Sequence, residues 1–247
     1  MDTPRQTPSH RITRRSVSSR PGGHCRTPVG TSKRGLRRKI TLALAAALVV
    51  ACAAHAVIGR ATLPSRPGTS GPEEVAHSTP SSQWRQGEVP SLFQIDPQWS
   101  EEPYAGGTIH ANGCGPTCLS MVYVALTGQT DLDPKGMARF SEAQGHTVDG
   151  MTAWTLMTDG AASLGLESRE VPASADAMRE ELRAGHPVIC SVIPGDFTTT
   201  GHFIVLAGIA EDGGIIVRDP NSAQNTERTW DLDRIISQCA NAWAFSR

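Results

Sequence analysis

Three absences narrow the function of this chain before any motif is read. Its 247 residues contain no internal repeat, which excludes solenoids and propellers. They contain no Gly-Lys-Ser/Thr triplet, so no ATP-binding transporter half accompanies whatever else is present. Cys114 and Cys118 have no second close pair to join them, because Cys190 and Cys239 stand alone, and this spacing argues against a zinc site. No metal and no cofactor is therefore expected. The formal net charge of −1 is a near-absence of a different kind, since it conceals two opposed regions. Residues 1–39 carry eleven Lys/Arg against the single acid Asp2, while the rest of the chain carries twelve against twenty-three Asp/Glu.

A basic tail can meet nucleic acid or anionic lipid, and the segment next to it decides between them. Residues 40–54 read ITLALAAALVVACAA without a charge. A basic flank followed by an apolar run is the order of an export signal, so a membrane and not nucleic acid is the expected partner of this end. The run is short for a spanning helix, which takes ~20 apolar residues, but it reaches that length at Gly59. Three fates are open. Ala54-His55-Ala56 fits a small-x-small cleavage site, Val49-Val50-Ala51-Cys52 resembles a lipobox with Cys52 as the lipid anchor, and an uncleaved segment is a signal anchor with its basic flank inside. All three put the acidic body outside the cytoplasm, and membrane attachment is the expectation.

The expected organisation is a disordered tail at 1–39, a signal or transmembrane segment at 40–59, a Ser/Pro/Gly/Thr-rich spacer at 60–87 and one domain at 88–247. In the domain, Cys114–Leu126 reads as a helix with apolar residues on adjacent stripes (Leu119, Val122, Leu126 and Cys118, Met121, Ala125), hence central. Helices are also expected from Asp133-Pro134, over Thr152–Leu164 and over Ser174–Ala184. Strands come next at Val188–Ile193, at His202–Ile209 and Ile215–Arg218 around the turn Glu211-Asp212-Gly213-Gly214, and at Ala242–Phe245. Helices first and an antiparallel sheet after them make an α+β domain, expected as a monomer.

Four cysteines belong to the domain. Two disulfides would be the default outside the cytoplasm. Cys114 and Cys118, however, lie four apart on one helix, where bridging is geometrically poor, which leaves Cys190 and Cys239 either as a bridged pair or as two buried small hydrophobes. Cys114 stands apart by its setting, Asn112-Gly113-Cys114-Gly115-Pro116-Thr117. Glycines on both sides let a backbone approach closely. A thiol at the start of a helix faces unpaired N–H groups and the positive end of the dipole, which favour the thiolate and can hold an oxyanion. Asn112 and Gly113 then adjoin the substrate. A nucleophilic thiol requires a base. Of His110, His146, His186 and His202, the last sits after Gly201 at the mouth of an apolar strand, rigid yet reachable; His146 reads as surface and His186 as a helix-end cap. The hairpin returns to that mouth at Asp219-Pro220-Asn221. Residues 202, 219 and 221 share one face if the hairpin carries no bulge, so Asp219 and Asn221 both remain candidates to orient the ring. Trp154 and Trp230 are groove or core residues, and Tyr104 with Gly106-Gly107 is a candidate flap.

The segments GCGPTCLSMV, GHFIVL, RDPNS, GMTAW and Gln94-x-Asp96-x-x-Trp99 together resemble the bacteriocin-processing, double-glycine cysteine-peptidase family in its stand-alone form. The resemblance runs from about Val89 to Phe245 and implies a papain-like fold, Cys114 as nucleophile, His202 as base and Asp219 as the orienting acid. It also implies a glutamine that donates to the oxyanion. The usual position, six residues before the cysteine, is Thr108 here; Gln94 is the best match, and Asn112 is the alternative. The expected function is hydrolysis of peptide or amide bonds through a thioester. An acyl or peptidyl transferase on the same triad and a non-catalytic surface binding module are the competing classes.

Overall fold

The computed structural model describes residues 76–247. The basic tail, the apolar segment with Cys52 and the spacer up to residue 75 lie outside the described residues. Among the described residues no helix is long and apolar enough to cross a membrane.

A helix over Cys114–Thr127 lies at the centre of the fold, every residue from Gly115 to Ala125 being buried. A helix apolar on both flanks has to be covered all round. It ends at Gly128, whose φ of 71° is a left-handed C-cap. Ahead of it, β1 (Pro103–Tyr104) and β2 (Gly107–Thr108) form a small hairpin, followed by one turn of helix at Ile109–Asn112 that is capped by the Thr108 side chain. A helix over Pro134–Ala143 starts as expected, with Asp133 as its cap.

Next come β3 (Thr147–Val148) and β4 (Met151–Thr152), a second small hairpin. The expected helix over Thr152–Leu164 is broken: Thr152 ends a strand, Trp154–Leu156 form a 3-10 turn, and only Asp159–Ser163 are α-helical. The break falls at Thr158, whose φ of −112° and ψ of −82° are non-helical.

The remaining strands are β5 (Glu167–Glu170), β6 (Val188–Val192), β7 (His202–Ile209), β8 (Ile215–Arg218), β9 (Thr229–Trp230) and β10 (Cys239–Ser246). They form one six-stranded sheet in the order β5-β10-β6-β7-β8-β9, and every pairing is antiparallel. Both faces are buried. Ile189, Phe203, Val205 and Trp243 pack with the central helix. Val188, Cys190, Ile204 and Leu206 pack with Met178 and Leu182, from the helix over Ala175–Arg183. That is why β6 and β7 read as unbroken apolar runs and not as alternating ones.

Residues 76–87, expected as the end of a flexible spacer, pack against the domain instead. Trp84 is in the core, and its Nε1 donates to Thr79 O at 2.7 Å. The Ser78 N–H donates to Asp96 Oδ2 at 2.7 Å, and the same carboxylate accepts from the Gln98 N–H at 2.9 Å. With Trp99 Nε1 donating to Phe93 O, the Gln-x-Asp-x-x-Trp segment is a tied loop that clamps residues 76–79. The four domain cysteines are all free thiols, so neither disulfide is formed.

Candidate active site

Cys114 is the first residue of the central helix, and Gly113 before it offers no side chain to cap that end. The first N–H groups of the helix therefore meet no competing acceptor from a cap side chain. The glycines are there for close packing. A Cβ on Gly113 would lie 2.5 Å from Ile109 O, and one on Gly115 would lie 2.5 Å from Thr152 Cγ2. Thr152 is itself held by Tyr104, whose hydroxyl shares hydrogen bonds of 2.9 Å with both Thr152 Oγ1 and Ser141 Oγ. The thiol is thus fixed by main chain and by steric fit.

His202 opens β7 and is 7% exposed; Asp219 follows β8 and is 1% exposed. His202 Nε2 and Asp219 Oδ1 are 2.8 Å apart. The hairpin that joins them is not regular. Its register shifts between Leu206 and Gly208, so that Ile209 faces Ile215 but Val205 faces Arg218. The regular register would put Val205 opposite Asp219. Because a one-residue slip reverses every side chain, the bulge is what brings Asp219 to the face of His202. The expectation that the shared face requires an unbulged hairpin is therefore corrected.

The Asp219 carboxylate accepts two further hydrogen bonds. Oδ1 also accepts from the Asn221 N–H at 2.9 Å, and Oδ2 accepts from Asn225 Nδ2 at 2.7 Å. The Asp219 N–H donates to Thr226 Oγ1 at 3.0 Å. Asn225 and Thr226 belong to a short helix over Ala223–Thr226 capped by Ser222, and sequence reading missed them. The cap, Ser222 three residues before Asn225, was the available signal. Asn221 is exposed and takes part through its main chain alone. Asp219, and not Asn221, is the acceptor for the ring.

With Nε2 engaged by Asp219, Nδ1 is the ring nitrogen left for Cys114, which lines the same cleft. Burial opposes charge on this imidazole, but hydrogen bonds and charge interactions with Asp219 and Cys114 outweigh it and push its pKa up to about 10. The imidazolium is then the resting form at neutral pH. Cys118, one turn along the helix, behaves differently: burial, reinforced by the neighbouring Cys114, pushes its thiol well above the ordinary range. It is a packed residue.

Cys114, His202, Asn112 and Trp154 line one cleft of about 510 Å³. Gly113 is buried and packs on Ile109, so it is not part of the lining. Gln94 also lies outside it. Its Nε2 donates to His110 O at 2.6 Å, with a longer 3.5 Å approach to Ile109 O, and its main-chain N–H donates to Pro220 O at 2.7 Å. Gln94 therefore ties the loop before Cys114 to the loop after Asp219. Asn112 Nδ2 is directed at Tyr104 O and Ala105 O, both at 3.3 Å, and holds the β1–β2 turn. Both amide nitrogens are engaged by main-chain carbonyls. Thr108 serves as a helix cap.

The other histidines are elsewhere. His110 is exposed, His146 is buried against Thr155 at 3.0 Å and not on the surface, and His186 bonds Glu181 at 2.9 Å. Tyr104 is fully buried and cannot face a substrate, and Trp230 is a core residue packed on Phe197.

A sequence model of the Peptidase_C39-like family matches residues 87–246, and the chain belongs to that family of peptidases. Its mixed helix-and-sheet domain has the papain-like architecture, with the cysteine at the start of a central helix and the histidine on the antiparallel sheet. Among solved structures, the chain is similar to a C39-like peptidase from Bacillus anthracis, at 15% identity over 70% of this chain and 98% of that one, with a TM-score of 0.40. It is also similar to the peptidase domain of Streptococcus ComA, a bifunctional ABC transporter of a quorum-sensing pathway. There the identity is 20% over 55% of this chain and 92% of that one, again with a TM-score of 0.40. No curated protein matches the chain.

Proposed function

We propose that the protein is an extracytoplasmic cysteine peptidase in which Cys114, His202 and Asp219 form the catalytic triad. The observation that carries this reading is the buried 2.8 Å hydrogen bond between His202 Nε2 and Asp219 Oδ1, in a cleft that His202 shares with a thiol at the start of a helix. A thiolate–imidazolium pair is the consequence of that geometry. Sulfur attacks the carbonyl carbon of the scissile bond. The imidazolium gives its Nδ1 proton to the leaving amine as the C–N bond breaks, and a thioester remains on Cys114. Water, deprotonated by the now neutral imidazole, attacks the thioester; the C–S bond breaks, the carboxylic acid leaves and gives its proton to solvent, and the thiolate–imidazolium pair is regenerated. The oxyanion of each step is held by main-chain N–H groups at the uncapped helix start, with Gln94 positioning the loop in front of it. Asp219 orients the ring and stays ionised throughout.

The extracytoplasmic placement rests on the basic flank and apolar run of residues 1–59, and with it the membrane association of that segment and a peptide or protein substrate outside the cell. Protease added to intact cells should degrade the domain; protection of the domain in intact cells overturns the placement. Catalysis is tested by the Cys114→Ser variant. Peptide hydrolysis should fall by about four orders of magnitude or more, while far-UV circular dichroism stays unchanged. Retained hydrolysis in that variant overturns the triad.

A further inference from the structure

The cleft has a wall that the triad does not use. Val148, Met151 and Trp154 are large apolar side chains with 51%, 61% and 49% of their surface exposed, and all three line the cleft that holds Cys114. Single exposed apolar residues are ordinary, but a cluster of them around a reactive group marks a binding surface. Phe203 and Ala153 extend the apolar lining, and none of the lining residues is Asp, Glu, Lys or Arg.

The wall is built and held in advance. Asp149 and Gly150, at φ of 48° and 76°, make the two-residue turn of the β3–β4 hairpin. That turn makes Val148 and Met151 a directly opposed pair, with side chains on one face. The base of the hairpin is fixed by Thr152, wedged against Gly115 and bonded to Tyr104. Trp154 packs edge-on against the buried Trp243, with ring centroids 5.4 Å apart. A surface that does not have to be ordered on binding recovers more of its burial energy.

We infer that Val148, Met151 and Trp154 form an apolar subsite that seats a bulky uncharged side chain, such as Leu, Met, Phe or Trp, of a peptide bound across Cys114. This rests on the peptidase reading for its substrate class. Glycine in the subsite buries nothing, and a charged side chain leaves water without a partner.

The test uses the full-length protein and iodoacetamide alkylation of Cys114, followed by peptide mapping, in the presence of capped pentapeptides Ala-Ala-Xaa-Ala-Ala. Leu or Trp at the central position should protect Cys114 at about tenfold lower concentration than Gly, Asp or Lys, the size expected for burying one such side chain. The double variant Val148→Ser/Met151→Ser, with its fold checked by circular dichroism, should lose that preference, and Met151→Leu should keep it. Equal protection by all peptides, no protection by any, or a preference that survives in the double variant overturns the subsite. The same peptides are assayed for cleavage. Apolar-selective protection without cleavage upholds the subsite and sinks the peptidase reading; cleavage without apolar preference does the reverse.

Discussion

The two walls of the cleft are held by different means. On the sheet wall, His202 and Asp219 are fixed by side-chain hydrogen bonds, from Nε2 to Oδ1, from the Asn221 N–H and from Asn225 Nδ2. On the helix wall, Cys114 is fixed by the absence of atoms: Gly113 and Gly115 let Ile109 and Thr152 approach to distances at which a methyl group would collide. A network with several bonds loses strength in steps as members are removed. A close fit fails when one carbon is added. Gln94 joins the two walls, through Pro220 on one side and His110 on the other.

That contrast sets the order of the mutational effects. On the sheet wall, Asp219→Ala should lower kcat/KM by about two to four orders of magnitude, because the ring loses its orientation and its counter-charge together. Asn225→Ala removes one bond to a carboxylate that keeps the others, so a drop of about tenfold is expected. Asn221→Ala should change kcat/KM by less than about twofold, since only the main chain of that residue is used. Steady-state kinetics on the three variants checks the series; Asn221→Ala proving the worst of them would reverse the assignment of the acceptor.

On the helix wall, Gly115→Ala should destabilise the fold by about 1–3 kcal/mol despite the better helix propensity of alanine, because the β-branched Thr152 has no room to give. A urea midpoint equal to or above that of the wild type would show that the fit is looser than described.

A further effect distinguishes the walls by pH. The folded protein holds the His202 proton up to about pH 10, whereas the unfolded chain releases it near the ordinary 6.5. Between those values the folded state binds more protons, so this contribution to stability is complete below 6.5 and is lost as pH rises toward 10. Urea melts across that range should show the slope, and it should flatten in His202→Asn. Because Cys114 is one of the groups that raise the imidazole, His202 should titrate at lower pH in Cys114→Ser, as read by NMR.

The sheet wall was largely legible in sequence. An unbroken apolar strand after Gly201 placed His202, and a strong turn returned the chain to Asp219. The bulge at Leu206–Gly208 was missed although Gly208, an isolated glycine inside an apolar strand, is a signal for one, and the bulge decides which face Asp219 takes. The helix wall was half legible. The run from Cys114 announced a central helix, but the flanking hairpins were missed although one carried a recognisable signal. Asp149-Gly150 between Val148 and Met151 is a two-residue hairpin turn, obscured by the helical spacing that begins at Thr152. The opposite hairpin turns at Ala105-Gly106, where a non-glycine residue takes a φ of 51°, a conformation composition does not foretell. The amides of Gln94 and Asn112 were read by type, and only tertiary contacts show that both are directed at main-chain carbonyls.

The most direct test of the thiolate–imidazolium pair is the alkylation rate of Cys114 at pH 6, mapped by mass spectrometry in the wild type and in His202→Ala. Cys114 should react fastest of Cys114, Cys118, Cys190 and Cys239, and the His202 variant should slow it by about tenfold or more, because the thiolate loses its imidazolium partner. Equal rates in the two proteins would contradict the ion pair, and with it the triad.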